Sequence, residues 1–386
     1  MNATVYLDHN ATTRPPAEVV RAMVEAMQST WANPSSTHGP GQLARRALAE
    51  ARQRVAAFVG CQVSEVVFTS GATEANHMAV LGALAAARAA RRHRVVVSAV
   101  EHASLLSLVE RLRSEGTPVD LIPVDRQGRI DLVRARALIG PDVALVSVMA
   151  ANNETGVVMP TAQLADLAHA RGTWLHADAT QLVGKAPFSF AECGADLVSM
   201  SAHKIGGPKG IGALIVRKGV GLPALIGGRQ ERHRRGGTEN MPGIAGFSAA
   251  CELAAATAVD DIARMTTLRD RLEAGLRDAV PELHVHAQEA TRLSNTLCVR
   301  FGTLDAEAVL NRLQRAGVVA SSGAACSAGG TQPSHVLLAM GDSPAQAKGG
   351  VRFSLGRDTR AADIDHTLDA VRRTVVPLLQ PAARAA

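Results

Sequence analysis

The chain has few aromatic residues and few cysteines. Its 386 residues include two Trp, one Tyr and seven Phe, so aromatic side chains make up 3% of the sequence. Such a sequence offers no visible platform on which the bases of single-stranded nucleic acid could stack. The five cysteines are an odd number, and they fit neither a disulfide framework nor a C-x-x-C motif. We therefore expect reduced thiols, mostly in the core, and no metal site.

Long apolar runs are also missing. No stretch of eighteen apolar residues occurs, and the N-terminal "MNATVYLDHNATT" lacks a basic start followed by an apolar run. We therefore expect a cytoplasmic protein with no membrane partner. With 386 residues, 47% of them hydrophobic, the chain is long enough for a large core and two domains.

The charge balance is mildly basic. The formal charge of +6 comes from 41 Lys and Arg against 35 Asp and Glu, and the excess is spread along the chain. Two short clusters, "RRHR" (91–94) and "RHRR" (232–235), are the segments that nucleic acid would contact. Solvated faces or an acidic protein partner fit them better, because no aromatic residues are interleaved with the arginines.

Two regions differ in their pattern of hydrophobic residues. Between about 60 and 217, short apolar runs such as "RVVVSAVEH", "VALVSVMAANNE" and "DLVSMSAHK" alternate with helical patterns. Strands buried on both faces and separated by helices predict a mostly parallel sheet in an α/β architecture. A long helix is predicted over 241–279, then shorter strands, a helix near 305–316 and a last helix from about 361. We predict a large domain over 15–250 and a small α/β domain formed by 1–14 and 251–386.

Polar side chains follow the apolar runs of the large domain. In an open parallel sheet the carboxyl ends of the strands form one edge, and ligands bind there. The sequence therefore predicts that five loops meet at one pocket. The side chains that follow the runs are Thr73, Glu101 and His102, Asn153, Asp178 and Gln181, and Ser201, His203 and Lys204.

The residue types in this pocket indicate a ligand with a single phosphate. "SGAT" (70–73) lies where a strand gives way to a helix, so backbone amides and the helix dipole can hold a phosphate. "GGPKGIG" (206–212) lacks the ending of a Walker loop, and no G-x-G-x-x-G follows a strand. A carboxylate such as Asp178 and a lysine such as Lys204 near one phosphate are what pyridoxal phosphate requires.

One cysteine has an unusual setting. Cys326 lies in "SSGAACSAGG" (321–330), where every other residue is Ser, Gly or Ala. Small residues cannot build a core layer, so the segment is predicted to be a mobile surface loop, whereas thiols are more often buried. The position calls for a functional reason, although composition alone leaves an inert loop thiol open.

Ten motifs, in one order along nearly the whole chain, resemble the cysteine desulfurases of the NifS/IscS type. These are fold-type-I pyridoxal-phosphate enzymes of the class V aminotransferase group. The resemblance implies a seven-stranded, mostly parallel sheet between helices and a smaller C-terminal α/β domain. The motifs are "YLDHNATT" (6–13), "NPSSTHGPG" (33–41), "FTSGATEAN" (68–76), "EH" (101–102), "NNETG" (152–156), "HADATQ" (176–181), "SAHKIGGPKGIG" (201–212), "GGTEN" (236–240), "SSGAACS" (321–327) and "VRFSLG" (351–356).

The resemblance also implies a role for each site residue. Lys204 would form the imine with the cofactor aldehyde, Asp178 would pair with the pyridine nitrogen, and His102 would stack on the ring. Thr238 would reach the phosphate of the other subunit, which implies a homodimer. The remaining cofactor ligands would be Ala72, Thr73, Asn153, Gln181, Ser201 and His203. The substrate carboxylate would be bound by Arg352, Asn153 and Asn33.

In this interpretation Cys326 takes sulfur from L-cysteine as a persulfide and leaves L-alanine. The loop would then pass the sulfur to an iron–sulfur scaffold or another acceptor protein. The sequence leaves open whether the sulfur serves nitrogenase clusters, general iron–sulfur assembly or thiolated tRNA. Three alternatives share the fold: an aminotransferase, a selenocysteine lyase and a non-catalytic assembly subunit.

Overall fold

A large mixed sheet forms the centre of the fold. The computed structural model describes residues 4–323 and 332–379. Within these residues seven strands pair in the order β2-β8-β7-β6-β5-β3-β4, and only β8 runs antiparallel to its neighbours. The predicted mostly parallel sheet is thereby confirmed. The strands are β2 (Val66–Thr69), β3 (Arg94–Ser98), β4 (Val119–Ile122), β5 (Val143–Met149), β6 (Trp174–Asp178), β7 (Leu197–Ser201) and β8 (Gly212–Val216).

Helices cover this sheet. Every residue of β5, β7 and β8 is buried, which explains why their sequences are nearly continuous apolar runs. The helices of this region are α1 (Ala17–Ser29), α2 (Gly39–Val59), α3 (Ala72–Ala87), α4 (Ala103–Ser114), α5 (Leu132–Leu138), α6 (Thr161–His169), α7 (Phe190–Cys193), α8 (Gln230–His233) and α9 (Met241–Ala279).

The C-terminal region has a second, smaller sheet. Among the described residues, β9 (Leu283–Val285), β10 (Thr296–Phe301) and β12 (Gly350–Ser354) pair antiparallel in the order β12-β10-β9. β1 (Val5–Tyr6) pairs in parallel with β11 (Val318–Val319), so the N-terminus joins this region. The helices here are α10 (Ala306–Arg315), α11 (His335–Ala339), α12 (Pro344–Ala347), α13 (Ala361–Thr374) and α14 (Val376–Leu379).

The buried side chains around this smaller sheet form their own cluster. Val5 and Leu7 from the N-terminus pack there with Leu272 of α9, Phe353 of β12 and Val371 of α13. A cluster of this kind is what a second domain needs. The domain boundaries given above stay a prediction.

Helix α9 connects the two regions. By length and composition it could cross a membrane, with a mean hydropathy of 1.3 over its most apolar eighteen residues. In the fold, however, its first half supplies Met241, Ile244, Phe247 and Cys251 to the core of the large sheet. Its apolar composition is therefore explained by packing within the protein.

Candidate active site

The predicted strand-end residues line one cavity. Its volume is about 420 Å³, and it lies at the carboxyl ends of the parallel strands. The convergence of five loops that the sequence predicts is therefore present. The predicted residues on its wall are Ala72, Thr73, His102, Asn153, Asp178, Gln181, Ser201, His203 and Lys204.

The start of α3 forms one end of this cavity. No side chain caps this helix start, which leaves its first amides and its dipole to a ligand. The preceding Gly71 has a φ of 154°, a conformation that side chains rarely adopt. A Cβ on Gly212 would lie 2.5 Å from the Met200 carbonyl oxygen and 2.8 Å from the Gly71 Cα, so close packing here requires glycine. The result is an uncapped helix N-terminus suited to an anion.

Two polar side chains stand beside that helix start. Ser201 ends β7, and its Oγ lies 3.8 Å from the place a Gly71 Cβ would take. His203 follows it, and its Nδ1 lies 3.2 Å from Thr12 Oγ1. Burial, and then the nearby Lys204, lower the pKa of His203 to about 4. The ring is thus neutral at neutral pH and can donate one hydrogen bond.

Asp178 is held at the end of β6. Asn76 Nδ2 donates to its Oδ2 at 2.8 Å, and the Thr180 amide donates to its Oδ1 at 3.0 Å. Both bonds fix the carboxylate, yet each oxygen keeps capacity for a further donor. Two atoms on the wall beside it, Asn76 Oδ1 and Thr180 Oγ1, are buried without a partner among the described residues. A polar ligand in the cavity would supply such partners.

Lys204 and Gln181 share one hydrogen-bond acceptor. Lys204 Nζ donates to the Asn10 carbonyl oxygen at 2.5 Å and to that of Ala11 at 2.8 Å. Gln181 Nε2 donates to the same Asn10 oxygen at 2.9 Å. The lysine nitrogen and the glutamine amide are therefore held side by side at the base of the cavity.

His102 caps α4 with its ring. The Ser104 amide donates to His102 Nδ1 at 3.2 Å, so in the neutral ring the proton is on Nε2. Burial lowers the pKa of His102, and Asp178 opposes this shift. At neutral pH the His102 ring on the cavity wall is therefore mostly neutral, and its proton is on Nε2.

Arg352 lies just behind the cavity wall. Its Nη1 donates to the Asn153 carbonyl oxygen at 2.9 Å, and its Nη2 lies 2.6 Å from Asp8 Oδ1. Nε is buried without a partner among the described residues. The guanidinium is thus next to the site through Asn153, but part of it is already bound by Asp8.

Two predicted residues lie away from the cavity of their own chain. Asn33 is exposed after α1, where its Oδ1 accepts the Ser35 amide. Thr238 is exposed in the segment between α8 and α9. Arg235 in the same segment pairs with Glu74 at 2.8 Å, which ties that segment to the start of α3.

Cys326 lies outside the described residues, but both neighbouring segments meet at Glu154. Ser334 Oγ donates to Glu154 Oε2 at 2.5 Å, and a Cβ on Gly323 would lie 3.0 Å from the same oxygen. Ser321 pairs through its backbone with Arg352. The described residues on both sides of Cys326 therefore lie close to Glu154, and Ser321 also contacts Arg352, the residue predicted to bind the substrate carboxylate.

The cysteines that the structure describes are poor nucleophiles. Burial raises the pKa of Cys61 to about 12 and raises the pKa values of Cys193, Cys251 and Cys298 as well. Because the thiolate is the reactive form, burial keeps these four unreactive at neutral pH.

The residues present fit pyridoxal phosphate. The uncapped α3 start suits one phosphate, Asp178 suits a protonated ring nitrogen, and Lys204 supplies the amine. The unpartnered Asn76 Oδ1 and Thr180 Oγ1 also indicate a polar occupant.

Sequence reasoning missed three residues of this site. Asn10, Asn76 and Lys185 lie within or next to quoted motifs, yet no role was inferred for them. Asn10 contacts Asn153, Lys185 and Thr296, which lie far apart in sequence. No local pattern in the sequence carries such a signal.

The chain is similar to known proteins over nearly its whole length. It matches the family "Aminotransferase class-V" over residues 5–367. It is 48% identical to a cysteine desulfurase of Cereibacter sphaeroides, covering 95% of this chain and 94% of that protein. It is 46% identical to a cysteine desulfurase of Rhodobacter capsulatus, covering 98% and 97%.

Solved structures of similar fold include proteins with the same family resemblance. One described as a NifS-like protein has a TM-score of 0.90 and 34% identity, covering 97% of this chain and 100% of that one. A second, SspA in complex with cysteine, has a TM-score of 0.78 and 32% identity, covering 91% and 99%.

Proposed function

The chain belongs to the class-V aminotransferase family, with cysteine desulfurases as full-length relatives, and we propose that it is a pyridoxal-phosphate-dependent cysteine desulfurase. The observation that carries this proposal is the single cavity in which Asp178, Lys204, His102 and the α3 start meet. When bound, pyridoxal phosphate supplies a ring that withdraws electrons from the substrate.

The residues of the chain divide the binding work. We assign the phosphate to the α3 start with Thr73, Ser201 and His203, and the ring nitrogen to Asp178. Fixed by Asn76 and the Thr180 amide, Asp178 needs no rearrangement to accept a further hydrogen bond. Lys204 would hold the cofactor covalently through Nζ, and once the substrate amine has taken that place, the freed Lys204 amine could move the substrate α-proton.

His102 and Arg352 are assigned to the substrate. With Nδ1 held by the Ser104 amide, His102 Nε2 is the atom that can give a proton to the substrate and take it back near neutral pH. Arg352, with Asn153, binds the substrate carboxylate by charge-assisted hydrogen bonds. Its bond to Asp8 keeps the guanidinium oriented before the substrate arrives.

The sulfur acceptor is Cys326. In the net reaction the substrate Cβ–S bond breaks, an S–S bond to Cys326 forms, and L-cysteine becomes L-alanine. One of the two thiol protons ends on the Cβ of alanine and the other on the persulfide. The two electrons given up when the S–S bond forms reduce that carbon, so no external oxidant is needed. The raised pKa values of Cys61, Cys193, Cys251 and Cys298 argue against these four thiols as sulfur acceptors.

The working unit is a cytoplasmic homodimer that delivers sulfur to an acceptor protein for iron–sulfur cluster assembly, which includes nitrogenase maturation as one destination. An apolar face of α1 supports the dimer: Val20, Val24 and Met27 are spaced along one side and exposed, and Trp31 after the helix is 70% exposed. Asn33 and Thr238 lie outside the cavity of their own chain, as residues that serve a neighbour would.

The proposed chemistry is tested by supplying L-cysteine to the purified protein and measuring alanine and sulfane sulfur. Alanine and sulfane sulfur in equal amounts are expected. Borohydride reduction should fix the cofactor to the unmodified protein and leave Lys204→Ala unlabelled. Labelling of the variant at another lysine, such as Lys209, would contradict the assignment, and alanine production from selenocysteine alone would favour a lyase.

A further inference from the structure

Lys185 is a buried lysine that no step of the proposed chemistry uses. Its side chain is 5% exposed and lies between the cavity and the smaller sheet. Within residues 4–323 and 332–379 it forms no ion pair; its Nζ donates to two neutral amide oxygens, Gln181 Oε1 at 2.5 Å and Asn10 Oδ1 at 2.9 Å. A buried amine without a carboxylate is expensive, so its retention calls for a reason.

The bonds around Lys185 fix which way the Gln181 amide points. A charged Lys185 can only donate, and the Gln181 atom that accepts from its Nζ is the oxygen Oε1. The NH2 group at the other end donates to the Asn10 carbonyl oxygen, which can only accept. Both ends of the amide are therefore specified, and rotation by 180° would place donor against donor and acceptor against acceptor.

The orientation matters because of what lies on the NH2 side. The Asn10 oxygen that accepts Gln181 Nε2 also accepts Lys204 Nζ. The amide NH2 is thus next to the nitrogen to which we assign the cofactor. In the flipped orientation a carbonyl oxygen would take its place and would favour extra positive charge on that nitrogen.

Asn10 is fixed in the same manner. Its Oδ1 accepts from Lys185 and from Asn295 Nδ2 at 3.1 Å, and its Nδ2 donates to Thr296 Oγ1 at 2.8 Å. The network therefore reaches the smaller sheet. Lys185 is the member that touches both Asn10 and Gln181.

We propose that Lys185 is a positioning residue that holds the Gln181 side-chain amide with its NH2 group on the Lys204 side. This inference rests on the proposed function, because that function places the cofactor at Lys204, beside Gln181, which the family resemblance makes a cofactor ligand. A competing explanation is that the positive charge of Lys185 acts directly on Lys204. The two groups are close enough to interact, because Lys204 and Arg352, in addition to burial, lower the pKa of Lys185.

The test is a pH titration of the visible absorbance of the cofactor-loaded protein without substrate. Lys185→Met removes the donor, and the titration midpoint is expected to rise by roughly half a pH unit or more as the amide flips. Lys218→Met, at an exposed lysine after β8, is the matched control and should leave the midpoint unchanged.

A double-variant cycle separates positioning from charge. In a Gln181→Leu background no amide remains to flip, so adding Lys185→Met should produce no further shift. An additive shift, or no shift in the single variant, would overturn the proposal.

Lys185→Arg keeps a side chain that can only donate and serves if the Met variant fails to fold. Its midpoint should stay close to that of the unmodified protein, and a midpoint raised as far as expected for Lys185→Met would overturn the proposal. If the unmodified protein had no visible band at all, the proposed function itself would fail; a normal band with the wrong shifts defeats only the role of Lys185.

Discussion

Glu101 is the most unusual carboxyl group of the site. It is fully buried next to His102, and its Oε1 accepts from Ser98 Oγ and from the Met149 amide at 2.7 Å. Its Oε2 has no partner among the described residues. Burial raises the pKa of Glu101 from 4.5 to about 8, against the opposing effect of those hydrogen bonds.

The Glu101 shift predicts a pH dependence of stability. Because the folded state binds the proton more tightly than the unfolded chain, this group favours folding below pH 4.5 and loses that contribution as pH rises toward 8. The loss is roughly 1 kcal/mol per pH unit in this window. Glu101→Gln should flatten the fall in free energy of unfolding between pH 6 and pH 8, measured by urea titration. An equally steep fall in the variant would place its cause elsewhere.

Arg352 gives a second prediction at the residue scale. Arg352→Ala should weaken L-cysteine binding by roughly 2–4 kcal/mol, because a charge-assisted contact to the carboxylate is lost. The visible spectrum of the loaded protein should not change, since no cofactor contact is removed. Spectral titration with L-cysteine measures both, and unchanged affinity would remove Arg352 from the site.

Asp8→Asn is the matched control for Arg352. It removes the negative charge bound to the guanidinium but leaves the arginine in place. Substrate affinity should therefore change much less than in Arg352→Ala. A loss as large as that of Arg352→Ala would mean that the arginine acts only through its contact with Asp8.

At the scale of elements, the backbone of α8 is strained. Glu231, Arg232 and His233 have φ values of 49°, 56° and 63°, a left-handed conformation that non-glycine residues seldom adopt. The buried Glu231 carboxylate holds this turn through two hydrogen bonds from Arg52, at 2.6 and 2.7 Å, and one from the Phe68 amide at 2.9 Å. The same segment leads to Thr238.

Breaking this buried pair should be costly. Arg52→Met leaves the Glu231 charge uncompensated, and the free energy of unfolding is expected to fall by about 3–5 kcal/mol. The double variant Arg52→Met/Glu231→Leu should recover part of that loss because no buried charge remains. Denaturant titration compares the two, and a double variant as unstable as the sum of the singles would refute a coupled pair.

The elements themselves were largely predictable from the sequence. The long helix over 241–279, the helix near 305–316 and the last helix from about 361 are found at those positions. The edge strand β4 was missed, because its pattern "VDLI" alternates and contains Asp120, which pairs with Arg94. In β4, at the rim of the sheet, Asp120 and Leu121 are not buried, so this strand lacks the continuous apolar run that indicates its neighbours.

The site was predictable where it depends on strand ends and unpredictable where it depends on tertiary contacts. The strand-end rule placed Asp178 and Lys204 in one cavity because parallel strands share their direction. Lys185 contacts Asn10 across 175 positions of sequence, and Asn295 contacts it across 285. Periodicity and spacing are local signals and hold no information about such pairs.

At the scale of the whole molecule, the dimer proposal makes a test in trans possible. Lys204→Ala lacks the lysine amine that would bind the cofactor. Thr238→Asp places a negative charge where the neighbour's cofactor phosphate would bind. When the two inactive variants are mixed and allowed to exchange subunits, one site of each hybrid has both intact residues. At a one-to-one ratio about half of the dimers are hybrids with one intact site each, so up to about a quarter of the activity should return. If Thr238 serves the cavity of its own chain, both sites of the hybrid are damaged and no activity returns.

The central claim is that Cys326 receives sulfur from L-cysteine, and peptide mass measurement after reaction with L-cysteine tests it most directly. The account predicts one added sulfur on the peptide containing "SSGAACSAGG" (321–330), one alanine released for each sulfur bound, and no addition at Cys61, Cys193, Cys251 or Cys298. Cys326→Ser should bind L-cysteine yet release almost no alanine, because a hydroxyl is a far poorer sulfur acceptor than a thiolate. Alanine release from Cys326→Ser at a near-normal rate, or sulfur bound at one of the buried cysteines, would contradict it.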